Sequence, residues 1–73
     1  MSREIPEGVK ILDTEPVEVK NPYTGEAVTL KPDAVAVYDM IKGCELFKDY
    51  DNVRKGLDWF RVNEPEAYMV LLD

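Results

Sequence analysis

The side chain with the greatest nucleophilic potential is Cys44, the single cysteine among 73 residues. A catalytic thiolate needs a neighbouring base, and the sequence contains no histidine that could serve as one. Cys44 also shares helical spacing with Tyr38 and Ile41, and free cysteine is among the residue types most often buried. The sequence therefore predicts a core cysteine rather than a nucleophile.

Carboxylates are the remaining groups that could act in acid–base chemistry or bind a metal ion. Those on the predicted helices are Asp33, Asp39, Glu45, Asp49, Asp51 and Asp58. On amphipathic helices such residues usually form the solvated face. Residues 49–52 resemble the start of a calcium loop, but Val53 and Arg54 stand where an oxygen ligand and the turn glycine are required. We therefore predict no catalytic residue, no cofactor-binding residue, no metal site and no enzyme activity.

The charge balance restricts the classes of partner. Fifteen acidic residues against nine basic ones give a net charge of −6, which repels both a phosphate backbone and an anionic membrane surface. No apolar run approaches the roughly 18 residues of a membrane span, and residues 1–10 lack the apolar stretch of a secretory signal. A lone thiol suits a reducing compartment. These features predict a cytoplasmic protein that binds neither nucleic acid directly nor membranes.

The amino-terminal part, residues 1–31, has the pattern of strands and turns. Residues 9–12 form a short extended run, and Val17–Lys20 and Ala27–Leu30 each alternate apolar and polar residues. Asn21–Gly25 is a turn cluster, with proline early in the turn and glycine where a left-handed conformation is needed. The pattern predicts a β-hairpin whose apolar face must lie on other elements, because a lone hairpin is marginal in water.

Residues 32–73 have the pattern of two or three short helices. In the first, Pro32 and Asp33 suit the opening turn. An apolar stripe then runs to about residue 47, formed by Ala34, Val37, Tyr38, Ile41 and Cys44. Gly43 lies within this pattern, where it either ends the helix early or lets another backbone approach closely.

A second helix is predicted to start after Asp49 as the N-cap residue. Its inner face would be Tyr50, Val53, Leu57 and Phe60, and its outer face Arg54, Lys55, Asp58 and Arg61. Residues 63–66 fit a capping box, with Pro65 in the first turn of a short third helix. A strand is the alternative for residues 67–73, because periodicity does not assign short apolar runs. The chain is thus predicted to be one small α+β domain, residues 1–73, with an N-terminal hairpin packed against the helices.

Two aromatic residues are candidates for contact with a partner. Trp59 falls one position off the inner face of the second helix, so we expect it partly exposed at the core boundary. Tryptophan is enriched at binding hot spots, although a structural role in covering the hairpin is the favoured interpretation. Tyr23 lies at the predicted hairpin tip, where it either packs on its own loop or contacts a partner.

Charged and apolar residues of the helices complete the candidate set. Arg54, Lys55 and Arg61 form a basic strip, which is either an anion-binding surface or a solvated face with i,i+4 pairs such as Arg54 with Asp58. The candidates Met69 and Leu72 belong to an apolar carboxyl-terminal run that must dock in the core or against another chain. The core is favoured, because so short a domain needs the buried area.

Two blocks of the sequence resemble a family of small tailed-bacteriophage proteins. They are Asn21-Pro22-Tyr23-Thr24-Gly25-Glu26 followed by Pro32–Asp39, and Val53–Arg61 followed by Ala67–Asp73. The resemblance covers residues 21–73. It implies a viral accessory protein acting in the infected cell or a minor virion component. It carries no activity and therefore assigns no functional residue.

The leading functional hypothesis is a non-enzymatic protein-interaction module that binds a protein partner or forms a homodimer. It follows from the absence of a catalytic set, the apolar carboxyl-terminal run and the thin core expected of a domain below about 70–80 residues. One alternative is an acidic inhibitor that mimics DNA, and another is a minor structural component of a virion. An enzyme or a small-ligand binder ranks lowest, because a domain of this size has little room for a polar cavity.

Overall fold

Two strands and three helices follow one another along the chain. The computed structural model describes residues 4–6, 9–12 and 14–72. Its elements are β1 (Val17–Lys20), β2 (Ala27–Leu30), α1 (Pro32–Leu46), α2 (Tyr50–Asn63) and α3 (Pro65–Leu71). This arrangement confirms the predicted α+β fold, a hairpin packed against helices. Residues 9–12, the predicted extended run, form no strand.

The hairpin has the predicted antiparallel pairing, with Val17 opposite Leu30 and Val19 opposite Val28. These four residues share one face and pack against the core, while the alternate residues on both strands are exposed. Gly25 has a φ of 80°, which is the left-handed conformation that the turn pattern predicted. The hairpin face is covered mainly through β2, which contacts α3 and α1.

Helix α1 begins at Pro32, and the Asp33 carboxylate accepts a hydrogen bond from the Ala34 N–H at 2.8 Å. Four consecutive residues, 34–37, are buried, so the first part of α1 is enclosed on more sides than the predicted single stripe. Gly43 neither ends the helix nor admits a neighbour, because a Cβ added there would meet no atom within 4 Å. Both expectations for Gly43 were wrong.

The close approach between helices occurs instead at Gly56 of α2. A Cβ added there would overlap the Ile41 side chain, lying 2.8 Å from its Cδ1, and would come 3.2 Å from Cε of Met40. Gly56 is buried, and Ile41 is fully buried. The missing side chain therefore lets α1 and α2 pack together at the centre of the domain.

Helix α2 differs from its predicted inner face at its first residue. Phe60 is fully buried and Val53 and Leu57 pack against the core, but Tyr50 is largely exposed. Tyr50 lies six residues before Gly56, or about 9 Å along the axis, beyond the closely packed part of the helix pair. Asp49 holds the predicted N-cap position, but its carboxylate accepts from Asn52 Nδ2 at 2.7 Å rather than from the helix backbone.

Residues 65–71 form a helix, so the strand alternative is wrong. Pro65 opens α3 as predicted, but the N-cap residue is Glu64, without a side-chain capping bond, so the predicted capping box is absent. The Asn63 amide instead donates to the Trp59 carbonyl at 3.0 Å. Leu71, at the end of α3, is buried in the core, which confirms that the apolar carboxyl-terminal run docks there.

The core is a single cluster between the hairpin and the helices. Its fully buried large side chains are Leu30, Val37, Ile41 and Phe60. The Phe60 ring makes edge-to-face contacts with Trp59 and Tyr38, at centroid distances of 5.3 and 6.5 Å. Through Tyr38, Phe60 therefore links α2 to α1.

Candidate interaction site

The junction of α1 and α2 exposes three large apolar or aromatic side chains within five residues of sequence. Leu46 is 83% exposed, Phe47 86% and Tyr50 63%. We call these three residues the apolar corner. Isolated exposed hydrophobic residues are ordinary on protein surfaces, but a group of them on one turn is typical of an interaction site.

The backbone at the corner has a defined conformation. Helix α1 ends as the Phe47 N–H donates to the Gly43 carbonyl at 3.3 Å, and the Asp49 N–H donates to the Cys44 carbonyl at 2.9 Å. Between them, Lys48 adopts a φ of 59°, which is left-handed and costs a non-glycine residue about 1–2 kcal/mol. Phe47 precedes this turn at the C-cap of α1, and its ring lies in solvent.

Charged residues surround the apolar corner. Acidic side chains at Glu45, Asp49 and Asp51 are interspersed with Lys42 and Lys48, and all five are exposed. Lys42 lies 4.0 Å from the Glu45 carboxylate, so part of its charge is already compensated. The formal balance of these five residues is one negative charge. The corner thus combines an apolar centre with a mildly acidic rim.

The sequence analysis missed this corner. The predicted stripe was formed by residues up to Cys44 and ran to about residue 47, and no role was assigned to Leu46 or Phe47. The available signal was that the two residues stand between the charged Glu45 and Lys48 at the predicted end of the helix. Two adjacent large hydrophobic residues between charged neighbours do not have the spacing of a buried helical face.

Three further candidate residues lie at the hairpin turn and α3. Tyr23 is in the turn, Met69 is in α3, and Leu72 follows the last residue of α3. Tyr23 is 95% exposed, so the expectation that it packs on its own loop was wrong. The Asn21 amide donates to the Val70 carbonyl at 2.8 Å and thereby holds the turn against α3. Met69 points to solvent, whereas Leu72 is half-buried and packs on the core.

Trp59 is more buried than its position in the sequence predicted. It is only 8% exposed, and its indole Nε1 donates to the Glu4 carbonyl at 2.6 Å. Ile5 and Val9 pack against the same core. The amino-terminal segment therefore covers the side of α2 that periodicity left unassigned, which is why the prediction of a partly exposed Trp59 was wrong.

The predicted basic strip of α2 lies on the surface, and one of its residues is paired within the domain. Arg54 is exposed, and so is Arg61. Asp58 forms its ion pair with Arg61, three residues later, and not with Arg54 as expected. The Arg61 guanidinium also lies over the Tyr68 ring of α3, 5.7 Å from its centroid. Arg61 is thus engaged within the domain on two sides.

Two of the surface cavities in the described part of the chain lie beside the elements discussed above. One, of about 320 Å³, lies between β2 and the start of α3 and is lined by Val28, Thr29, Glu64, Pro65, Glu66 and Ala67. The other, of about 420 Å³, lies between residues 4–6 and α2 and includes Trp59 and Val62 in its wall. Cys44 lines neither cavity. Its sulfur lies 3.6 Å from the Met40 sulfur, and the side chain is half-buried.

Neither a metal-binding cluster nor a membrane-spanning helix is found in the part of the chain that the structure describes. Within residues 4–6, 9–12 and 14–72, no three or more Cys, Asp or Glu side chains are grouped so that they could hold a metal ion. None of the helices there combines the length and apolar character that crossing a bilayer requires.

Comparisons with known proteins gave no match: no protein-family model, no curated protein and no solved structure matches the chain.

Proposed function

We propose that this protein is a non-enzymatic interaction module that docks on a protein partner through the apolar corner. The observation that carries the proposal is the joint exposure of Leu46, Phe47 and Tyr50 on one turn. Burying a side chain such as leucine or phenylalanine gains about 1.5–3 kcal/mol. An aromatic pair with a neighbouring leucine therefore supplies the kind of anchor that dominates protein interfaces.

The charges favour a heterologous partner over a second copy. Two copies would each carry a net charge of −6, and an interface between two corners would bring together two rims that each have a formal charge of −1. A partner with an apolar pocket and a lysine- or arginine-rich rim would instead complement the corner. We therefore propose a basic-rimmed protein as the partner, and self-association is an outcome that the experiment must separate.

The biological setting that we propose is the cytoplasm of a phage-infected cell, where the protein would act on a host or viral protein. It rests on the resemblance of residues 21–73 to small tailed-bacteriophage proteins and on the lone cysteine. A virion component would use the same corner to bind another capsid or tail protein. DNA mimicry is less supported, because the ion pairs Lys42–Glu45 and Asp58–Arg61 interrupt the acidic groups on the helices.

The test compares the wild-type protein with two double variants, each immobilised and exposed to extract from infected cells. Leu46→Ser with Phe47→Ser removes the corner anchors. Leu12→Ser with Met69→Ser removes two exposed apolar side chains that lie neither at the corner nor in the wall of the cavity beside Trp59, and serves as the matched control. We expect the wild type and the control to retain one stoichiometric protein that the corner variant loses. Calorimetry with that purified protein should then show at least tenfold weaker binding by the corner variant. The affinity of the wild type should fall as salt is added.

Each other outcome has a distinct meaning. A dimer of the wild type in native mass spectrometry that the corner variant abolishes would replace the proposed partner with a second copy. Retention of the same protein by the corner variant would overturn the proposed site. A retained DNA-binding enzyme that DNA displaces would favour the mimic hypothesis.

A further inference from the structure

The amino-terminal segment is attached to α2 through the only tryptophan of the chain. The Trp59 indole N–H donates to the main-chain carbonyl of Glu4 at 2.6 Å, across 55 residues of sequence. Ile5 packs against the core beside it, and residues 4–6 belong to neither a helix nor a strand. The segment therefore lies on the helix as an irregular strap, in which the Glu4 main-chain carbonyl accepts from the indole.

Residues 4–6 fill only part of the groove in which they lie. A cavity of about 420 Å³ remains between them and α2, and its helical wall consists of Lys55, Asp58, Trp59, Val62 and Asn63. Val62 on this wall is 81% exposed. The groove thus has an aromatic and aliphatic floor, with charged and amide groups at its border.

From these contacts we infer that the α2 groove around Trp59 binds an extended peptide containing an aliphatic residue followed by proline. In this structure the chain's own Ile5 and Pro6 occupy that groove. A partner's segment of the same chemistry would compete with residues 4–6 for the groove. The chain's own segment shows what fits: a main-chain carbonyl for the indole N–H, an aliphatic side chain and a proline ring. Proline-containing extended segments commonly dock on aromatic-lined grooves, where little conformational entropy is lost.

Competition requires that the strap can detach while the domain stays folded. Residues 4–6 belong to no sheet, and segments outside helices and strands commonly open locally at a lower free energy than the core. The helices and hairpin pack on one another through Leu30, Val37, Ile41 and Phe60, which belong to other parts of the chain. This inference does not depend on the apolar corner, which none of its readouts involves.

The single tryptophan makes the test direct, because its emission reports whether the groove is covered. In the full chain, Ile5→Asp should shift the Trp59 emission maximum to longer wavelength while the far-ultraviolet circular dichroism keeps its helical signal. A synthetic peptide with the sequence of residues 1–12 should reverse the shift in a saturable manner. The same peptide carrying Ile5→Asp is the control and should have no effect, and Ile11→Asp in the chain should leave the emission unchanged.

The inference is overturned if Ile5→Asp leaves the emission unchanged, or if the wild-type peptide fails to reverse the shift. Should Ile5→Asp unfold the domain, hydrogen exchange of the wild-type protein decides instead. We then expect the protection factor of the Trp59 indole proton, which is the exchange rate of the unstructured group divided by the observed rate, to be at least tenfold lower than that of the Phe60 amide. Equal protection factors would mean that the strap detaches only with global unfolding, which contradicts competition.

Discussion

The two phenylalanines of this chain lie in opposite environments at two places on the same helix pair. Phe60 is fully buried where α1 and α2 pack closely around Gly56, whereas Phe47 is 86% exposed where the two helices are joined. Both residues have the same hydrophobicity, so composition does not distinguish them. The difference shows that the helix pair separates two tasks: one region stabilises the domain, and the other offers apolar surface.

Backbone geometry explains the difference. At Gly56 the absence of a side chain allows α2 to contact Ile41 directly, and the surrounding residues are enclosed. At the junction, the left-handed Lys48 reverses the chain within one turn, so Phe47 has no element facing it. An exposed apolar turn that also stores backbone strain is more typical of an interaction site than of a folding requirement.

The largest expected difference in stability is between the alanine variants of the two phenylalanines. Phe60→Ala should destabilise the domain by about 3–5 kcal/mol, because it removes a fully buried ring and leaves a cavity. That loss is comparable with the whole stability of a domain of this size, roughly 3–5 kcal/mol, so the variant should be largely unfolded. Phe47→Ala should change stability by less than about 0.5 kcal/mol. Circular dichroism without denaturant should show that Phe60→Ala has lost most of its helical signal, and urea unfolding compares Phe47→Ala with the wild type. A folded Phe60→Ala variant that is no less stable than Phe47→Ala would refute the division between the two regions.

Substitution of the two helical glycines tests the close packing of α1 and α2. Gly56→Ala should destabilise by about 1–3 kcal/mol, since the new Cβ overlaps Ile41 and overpacking outweighs the gain in helix propensity. Gly43→Ala should instead stabilise by up to about 1 kcal/mol, because it lies in open space inside α1. The same unfolding experiment applies, and a stabilised Gly56→Ala variant would show that the helices do not meet there.

Asn21 should give an intermediate effect, because its amide links the hairpin turn to α3. Asn21→Ala removes the hydrogen bond to Val70 and the side-chain acceptor of the Tyr23 N–H, and we expect a loss of about 1–2 kcal/mol. Thr24→Ala is the control, since the Thr24 hydroxyl accepts only from the nearby Glu26 N–H within the exposed turn. A thermal melt in which both variants lose equally would mean that the contact with α3 adds nothing.

The smallest effect is expected for the exposed ion pair of α2. Asp58 and Arg61 have side chains that are both more than half exposed, so Asp58→Asn should cost less than about 0.5 kcal/mol. Unfolding at low and at high salt measures this difference, which should shrink as salt is added. A loss above 1 kcal/mol would place Asp58 with the interior residues rather than with the surface.

Local patterns were sufficient for the elements of the fold. Alternation in residues 17–20 and 27–30, with a turn cluster between them, predicted the hairpin and its left-handed glycine correctly. Helical spacing from Pro32 and from Asp49 predicted α1 and α2, because those apolar residues recur with the period of the helix. The pattern of residues 67–73 did not distinguish a helix from a strand, because seven residues are too few to show a period.

Details of the candidate surface were less predictable, because they depend on which elements meet in space. Nothing in the spacing of Gly43 and Gly56 shows which of them faces the other helix. Trp59 became a core residue only because Glu4 and Ile5 return to cover it from the far end of the chain. Leu46 and Phe47 lie at the end of α1, and only the packing of the elements shows that nothing covers them.

The sequence by itself determined the hairpin, the first two helices, their order and the face of the hairpin that turns inward, because hydrogen bonding and hydrophobic periodicity act between near neighbours. Tertiary structure alone decided that Gly56 admits the neighbouring helix, that Trp59 is covered and that Phe47 is not. Burial is a property of the space between elements, and that space is set by contacts between residues that are distant along the chain.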